Sequence, residues 1–147
     1  MSFSKNLIDS FVNITSKAAI SCFEYLGKND KNLADKAATD EMRKNLNLLD
    51  IDGKVVIGEG ELDEAPMLYI GEKLGTGNGP SLDIAVDPLE GTNFAAKNLP
   101  GALSVMAVSK KGDLFHAPET YMNKLAVSAD VPSVSYTHLT LPTILLV

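Results

Sequence analysis

The segment Leu82-Asp-Ile-Ala-Val-Asp-Pro-Leu-Glu-Gly-Thr92 constrains this chain more than any other. It opens as a short apolar run with β-branched residues, the pattern of a buried strand, and Asp87-Pro88 and Gly91 are expected to stop that strand. Two carboxylates, Asp87 and Glu90, then stand at the strand end, and Gly91-Thr92 leads into an expected helix over Asn93–Asn98. Hard divalent cations take carboxylate and carbonyl oxygens, and a helix N-terminus offers unpaired N–H groups to an anion. One stretch can therefore hold a metal and the phosphate it polarises. Taken alone, the same residues also suit a plain solvated turn.

A second apolar run, Val55-Val-Ile-Gly, likewise ends in a carboxylate, Glu59, and opens the acidic loop Gly60–Pro66. Glu59, Glu61, Asp63 and Glu64 crowd into this loop, and like charges at such density repel unless cations compensate or the side chains splay into water. Strand ends are where α/β proteins place their sites, so a site and a solvated loop both remain open here.

Ahead of these strands the spacing predicts two helices. Leu7, Ile8, Phe11, Val12, Ala19, Cys22, Phe23 and Leu26 recur at helical spacing, with Gly27 where a helix would end. Cys22 belongs to that stripe and reads as core, because nothing nearby would lower its pKa. A polar link leads to a second helix carrying Ala34, Ala38, Met42, Leu46 and Leu49; Asp35 is expected in its first turn, where a negative charge suits the macrodipole. Asp50–Gly53 reads as a turn, with Gly53 supplying an unusual backbone conformation.

Further along, Met67–Ile70 reads as a strand or a short element packed on the sheet. Gly71–Pro80, with four glycines, is a connecting loop that lacks the Gly-Lys-Ser/Thr ending of a P-loop. Gly101–Ser109 is apolar enough for a central strand, and Leu114–His116 for a returning one. Tyr121 reads as a core residue, and His116 as structural, for want of a partner at metal-ligand spacing.

The composition is that of one globular domain. A net charge of −6 without a Lys/Arg run argues against nucleic acid and anionic membranes as partners. The single cysteine allows no internal disulfide, and no signal or transmembrane-length segment stands out, so a cytoplasmic protein is expected.

Four stretches together carry a resemblance: Gly27–Asp35, Val56–Glu72, Asp83–Thr92 and Ala117–Leu125. From about Lys5 to Ala126 the chain resembles the N-terminal part of the class II fructose-1,6-bisphosphatases, the GlpX-type sugar phosphatases, which share fold kinship with the inositol monophosphatase group. The resemblance implies Asp35, Glu59, Asp87 and Glu90 as metal ligands, with the Leu89 carbonyl added. It implies Asp63 and Thr92 as the residues that orient the attacking water, and Glu90, Gly91, Thr92 and Tyr121 as substrate contacts. It further implies Mn²⁺ or Mg²⁺ as cofactor, hydrolysis of the 1-phosphate of fructose 1,6-bisphosphate in gluconeogenesis, sedoheptulose 1,7-bisphosphate as a second substrate, and a homo-oligomer in full-length members. The expected fold is α/β, the N-terminal portion of a layered, inositol monophosphatase-like arrangement, with two helices packed on a mixed sheet.

Every Lys, Arg, Asp and Glu lies at or before Asp130, and Val131–Val147 holds none. The expected organisation is therefore residues 1–130 as part of a sugar-phosphatase domain and 131–147 as a non-native tail resembling translated adapter sequence. Family members run to more than twice this length, so little or no activity is expected of the chain alone. Two alternatives stand beside this: an inactive metal-binding or interaction module, and an inositol-monophosphatase-like enzyme for another sugar phosphate. Glu90 weighs against the second, since that group carries Asp there.

Overall fold

The computed structural model describes residues 3–59 and 67–115. Asp63, Tyr121, His116 and the segment 131–147 lie outside the described residues. What is described is an α/β arrangement of three helices and a mixed four-stranded sheet.

The first helix, α1, spans Lys5–Ser21, capped by Ser4, whose hydroxyl accepts from the Leu7 amide. Phe11, Ile14, Ala18 and Cys22 form its buried stripe, whereas Val12 is 60% and Phe23 73% exposed. Of the predicted stripe, Phe11 and Cys22 are thus core and Leu7 and Leu26 pack against it, whereas Ile8, Val12 and Phe23 face outward and Ile14 and Ala18 complete the inner face. The helix also ends before Gly27, in a 3-10 turn over Phe23–Tyr25. Cys22 is core as expected: its thiol sits 3.2 Å from the Ala18 carbonyl, and burial pushes its pKa up.

The second helix, α2, spans Lys31–Leu46 and buries Ala34, Ala38, Met42 and Leu46 of the predicted stripe, but ends before its fifth member, Leu49. Its cap is Asp30, which accepts from the Leu33 amide at 3.0 Å. Asp35 therefore falls in the second turn, and the first contains no acid. Complementing the macrodipole is not the reason for a carboxylate at 35.

The sheet runs in the order β2-β1-β3-β4, with β1 Asp52–Ile57, β2 Lys73–Leu74, β3 Ser81–Glu90 and β4 Leu103–Lys110. β1 and β3 are parallel, and the other pairings antiparallel. Helices α1 and α2 pack on the face that carries Val55, Ile84 and Val86, and with Met42, Leu46, Ile51, Leu68, Leu74 and Leu82 these residues make the core.

Several expectations change. Gly53 lies inside β1, where a Cβ would come within 2.8 Å of Ile84, so close packing and not a turn demands it. Met67–Ile70 forms no strand; Leu68 is anchored in the core and pairing resumes at β2. Leu114 and Phe115 lie outside any strand. Among the described residues β4 is an edge strand whose residues alternate between half-buried and exposed, not a central one.

The glycine-rich link after β2 is strapped onto residues 47–51. Thr76 and Gly77 donate to the Leu49 and Ile51 carbonyls at 2.9 and 3.0 Å. At Gly79, with φ +104°, a Cβ would stand 2.1 Å from the Asp50 carbonyl oxygen.

The cap at Asp30 gives a direct check on where α2 begins. Asp30→Ala is expected to cost about 1 kcal/mol in urea unfolding of the metal-free chain; a change within error would place the start elsewhere.

Candidate metal centre

The parallel register brings two of the predicted acids together. Ile57 pairs with Ala85, and β1 ends there; just beyond it Glu59 comes within hydrogen-bond reach of Asp87, beside a β3 segment that pairs with no strand on that side among the described residues. β3 itself continues through the expected stop. Pro88 has no N–H for the ladder, and the β3–β4 register shifts between Asp87 and Glu90, a bulge that accommodates it. The bulge returns Glu90 to pairing with Leu103 and leaves its side chain exposed.

Asp87 is half-buried, and its Oδ1 accepts from the Leu89 amide at 3.1 Å. Its pKa is pushed up to about 8, first by burial, then by a hydrogen bond with Glu90, the charges of Glu59 and Glu90, and a hydrogen bond with Glu59. Three carboxyls therefore share one strand end. Like charges this close hold a proton between them unless a cation takes its place.

Asp35 stands apart on α2. Burial alone raises its pKa, and its Oδ1 is buried with no hydrogen-bond partner. Its charge is felt by the Cys22 thiol at the α1–α2 contact. Removing an acceptor from water without a partner costs free energy, and a cation ligand is one of the few roles that would repay it.

Gly91 ends β3 in the left-handed region at φ +81°, where a Cβ would meet the Phe94 ring at 3.0 Å. It starts α3, Thr92–Ala96, one residue ahead of the expected helix and ending earlier. Phe94 and Ala95 donate to the Gly91 carbonyl, so the amides of Thr92 and Asn93 precede the first intrahelical bonds. The segment before α2 is tied to the end of α3 by Gly27 and Asn29, which donate to Ala95 and Ala96 at 3.1 and 2.8 Å.

Glu59, Asp87 and Glu90 are thus brought together, with Leu89, Gly91 and Thr92 adjoining them in the chain, whereas the Asp35 shift comes from burial and owes nothing to those three acids. Among the described residues no group of three or more His, Cys, Asp or Glu is arranged to hold a metal ion as it stands. The all-oxygen donor set, the proton trapped at Asp87 and the unpartnered Asp35 Oδ1 still fit a hard divalent cation in kind. The sequence reading passed over Arg43 and Glu72, which pair through the Arg43 Nε and Glu72 Oε1 at 2.7 Å. Their separation of 29 positions leaves no local spacing signal that could have found them.

The model of the family described as bacterial fructose-1,6-bisphosphatase, glpX-encoded, matches residues 5–143. Fructose-1,6-bisphosphatase 1 class 2 of Escherichia coli (strain K12) is 54% identical over 123 residues, covering 84% of this chain and 37% of that protein. The D-fructose 1,6-bisphosphatase class 2/sedoheptulose 1,7-bisphosphatase of Synechococcus sp. (strain CC9902) is 53% identical over 122 residues, 83% of this chain and 36% of that one. The chain therefore spans 37% or less of the length of these two relatives. A solved structure titled as an extragenic suppressor from Pyrococcus furiosus superposes with a TM-score of 0.49 at 20% identity, covering 73% of this chain and 41% of that chain, too loose a likeness to carry weight. No helix among the described residues is long and apolar enough to cross a membrane. The extent of the family match makes the conclusion plain: the chain belongs to the glpX-encoded bacterial fructose-1,6-bisphosphatases.

Proposed function

We propose that the chain contributes the metal- and phosphate-binding part of an enzyme that hydrolyses the 1-phosphate of fructose 1,6-bisphosphate, giving fructose 6-phosphate and phosphate. The observation that carries this reading is the meeting of Asp87 with Glu59 and Glu90 at one strand end, where burial and the neighbouring carboxyls push the Asp87 pKa up. Names of relatives support the sugar bisphosphate, and one relative's name adds sedoheptulose 1,7-bisphosphate. The setting we infer is a layered sugar-phosphatase domain in a cytoplasmic homo-oligomer.

In this reading Glu59, Asp87, Glu90 and the Leu89 carbonyl would hold Mn²⁺ or Mg²⁺, with Asp35 as a further ligand. When bound, the cation polarises the phosphoryl group and makes water acidic enough to attack it at neutral pH. The chain's own residues do the positioning. The Thr92 hydroxyl, with Asp63, orients the water, and the N–H groups of Gly91 and Thr92 face the phosphoryl oxygens. Glu90 contacts the substrate, a role that the family resemblance also gives to Tyr121.

The proton on Asp87 sets a pH dependence. In the unfolded chain this carboxyl ionises near 3.8, in the fold near 8. Between those values the folded state holds a proton that the unfolded state has lost, so this carboxyl's contribution to metal-free stability is full at low pH and is lost as pH rises through about 8. Thermal melts with and without Mn²⁺ should show this decline without metal and its suppression with it. A flat metal-free profile would mean that the three acids do not share a site.

Asp35→Asn removes the charge of a half-buried carboxyl whose Oδ1 is buried without a partner, so the metal-free melting temperature should rise while the further rise produced by Mn²⁺ shrinks. Loss of metal-free stability would make Asp35 a structural residue.

The activity is tested in full-length context. A chimera in which this chain's aligned residues replace those of the Escherichia coli relative should release phosphate from fructose 1,6-bisphosphate with Mn²⁺, and Asp87→Asn should abolish it. A folded chimera that is stabilised by Mn²⁺ but inert would favour a metal-binding module, and release only from other sugar phosphates would favour an inositol-monophosphatase-like enzyme.

A further inference from the structure

We propose that the Arg43–Glu72 ion pair is a positioning device: it clamps the neck of the acidic loop so that Glu59 stays beside Asp87. This rests on the metal site read under Proposed function.

The pair joins the residue just ahead of the edge strand β2 to α2. Arg43 Nε and Nη2 donate to the two Glu72 carboxylate oxygens at 2.7 and 3.2 Å, a forked contact. The same Nη2 donates to the Met67 carbonyl at 2.6 Å, and Glu72 Oε2 also accepts from the Tyr69 amide at 3.3 Å. These contacts tie the whole segment 67–72 to one guanidinium. The side chains are 26% and 10% exposed, and an ion pair so withdrawn from water contributes little net stability compared with an apolar pair of the same volume. An apolar pair could fill the space, but it could not hold the Met67 carbonyl and the Tyr69 N–H.

The segment so held is the far side of the loop neck. Glu59 N–H donates to the Leu68 carbonyl at 3.1 Å, and the Glu72 carbonyl accepts from Val55 at 2.9 Å. At Gly58 a Cβ would stand 2.3 Å from the Leu68 carbonyl oxygen, so the two backbones touch where Glu59 leaves β1. A shift of Leu68 moves Glu59, and with it the acid that hydrogen-bonds Asp87. Because α2 also carries Asp35, the clamp sets the helix bearing one proposed ligand against the strand end bearing another.

The test compares the full chain with Arg43→Lys, which keeps the charge and loses the fork, and Glu72→Gln, which keeps the shape. Two readouts are taken: amide hydrogen exchange without metal, and Mn²⁺ titration. We expect the Glu59 and Tyr69 amides to lose protection while those of α1 keep theirs, and Mn²⁺ affinity to fall about 10- to 100-fold, the usual cost of removing a group that orients a ligand. Full protection at Glu59 in both variants overturns the proposal. So does protection lost evenly across α1 and the sheet, which is what general destabilisation would give, or selective loss with Mn²⁺ affinity unchanged. A wild-type chain that binds no Mn²⁺ overturns the metal reading instead, and the exchange pattern then decides the clamp by itself.

Discussion

The site depends on the parallel pairing of β1 with β3, and on its stopping short. If β1 ran on past Ile57, its backbone would occupy the flank of β3 where Glu59 now meets Asp87. Ending the ladder at Ala85 frees that flank for side chains. Parallel strands point their carboxyl ends the same way, so two acids far apart in sequence reach one edge of the sheet. The Pro88 bulge completes the arrangement by bending β3 and turning Glu90 outward without ending the strand.

Crowding acids in this way is unfavourable for the metal-free fold, and the surroundings offset it. Met42, Leu46 and Ile51, fully buried under the sheet, hold α2 against β3, and the α2 cap and the α3 contacts with Gly27 and Asn29 fix the connection that leads to Asp35. Apolar packing thus supplies the rigidity, and the polar strand end supplies the chemistry.

Much of this was legible from residue order. The α2 stripe Ala34, Ala38, Met42 and Leu46 is what its spacing announces, because a helix buried on one side leaves a clear period. The α1 stripe is only half legible: Phe11, Cys22, Leu7 and Leu26 do reach the core, but apolar residues such as Ile8 and Val12 stand on other sides of that helix, and spacing alone does not choose among them. Asp87-Pro88 looked like a strand end, since proline costs a ladder bond; that a bulge absorbs the loss depends on the neighbouring strand. The order of the sheet, with β4 at its edge, is likewise set by partners distant in sequence. Of the candidate site, the acids could be named from the sequence, and their meeting needed the β1–β3 register. The Arg43–Glu72 pair left no trace in local pattern, because ion pairs between distant elements follow from packing.

The link between β2 and β3 has the composition of a flexible tether, yet Gly75 and Gly79 press against the Ile51 and Asp50 carbonyls and Thr76 and Gly77 are bonded to the same turn. An affinity tag, a fluorescent insert or a new pair of termini engineered into this stretch would pry apart the entrance to β1 and β3. The turn at Lys111-Gly112 has open space around the glycine, but it too is bound to the start of β3, by Lys111 N–H to the Ser81 carbonyl and Gly112 N–H to the buried Asp83 carboxylate, so an insertion there would also disturb that strand.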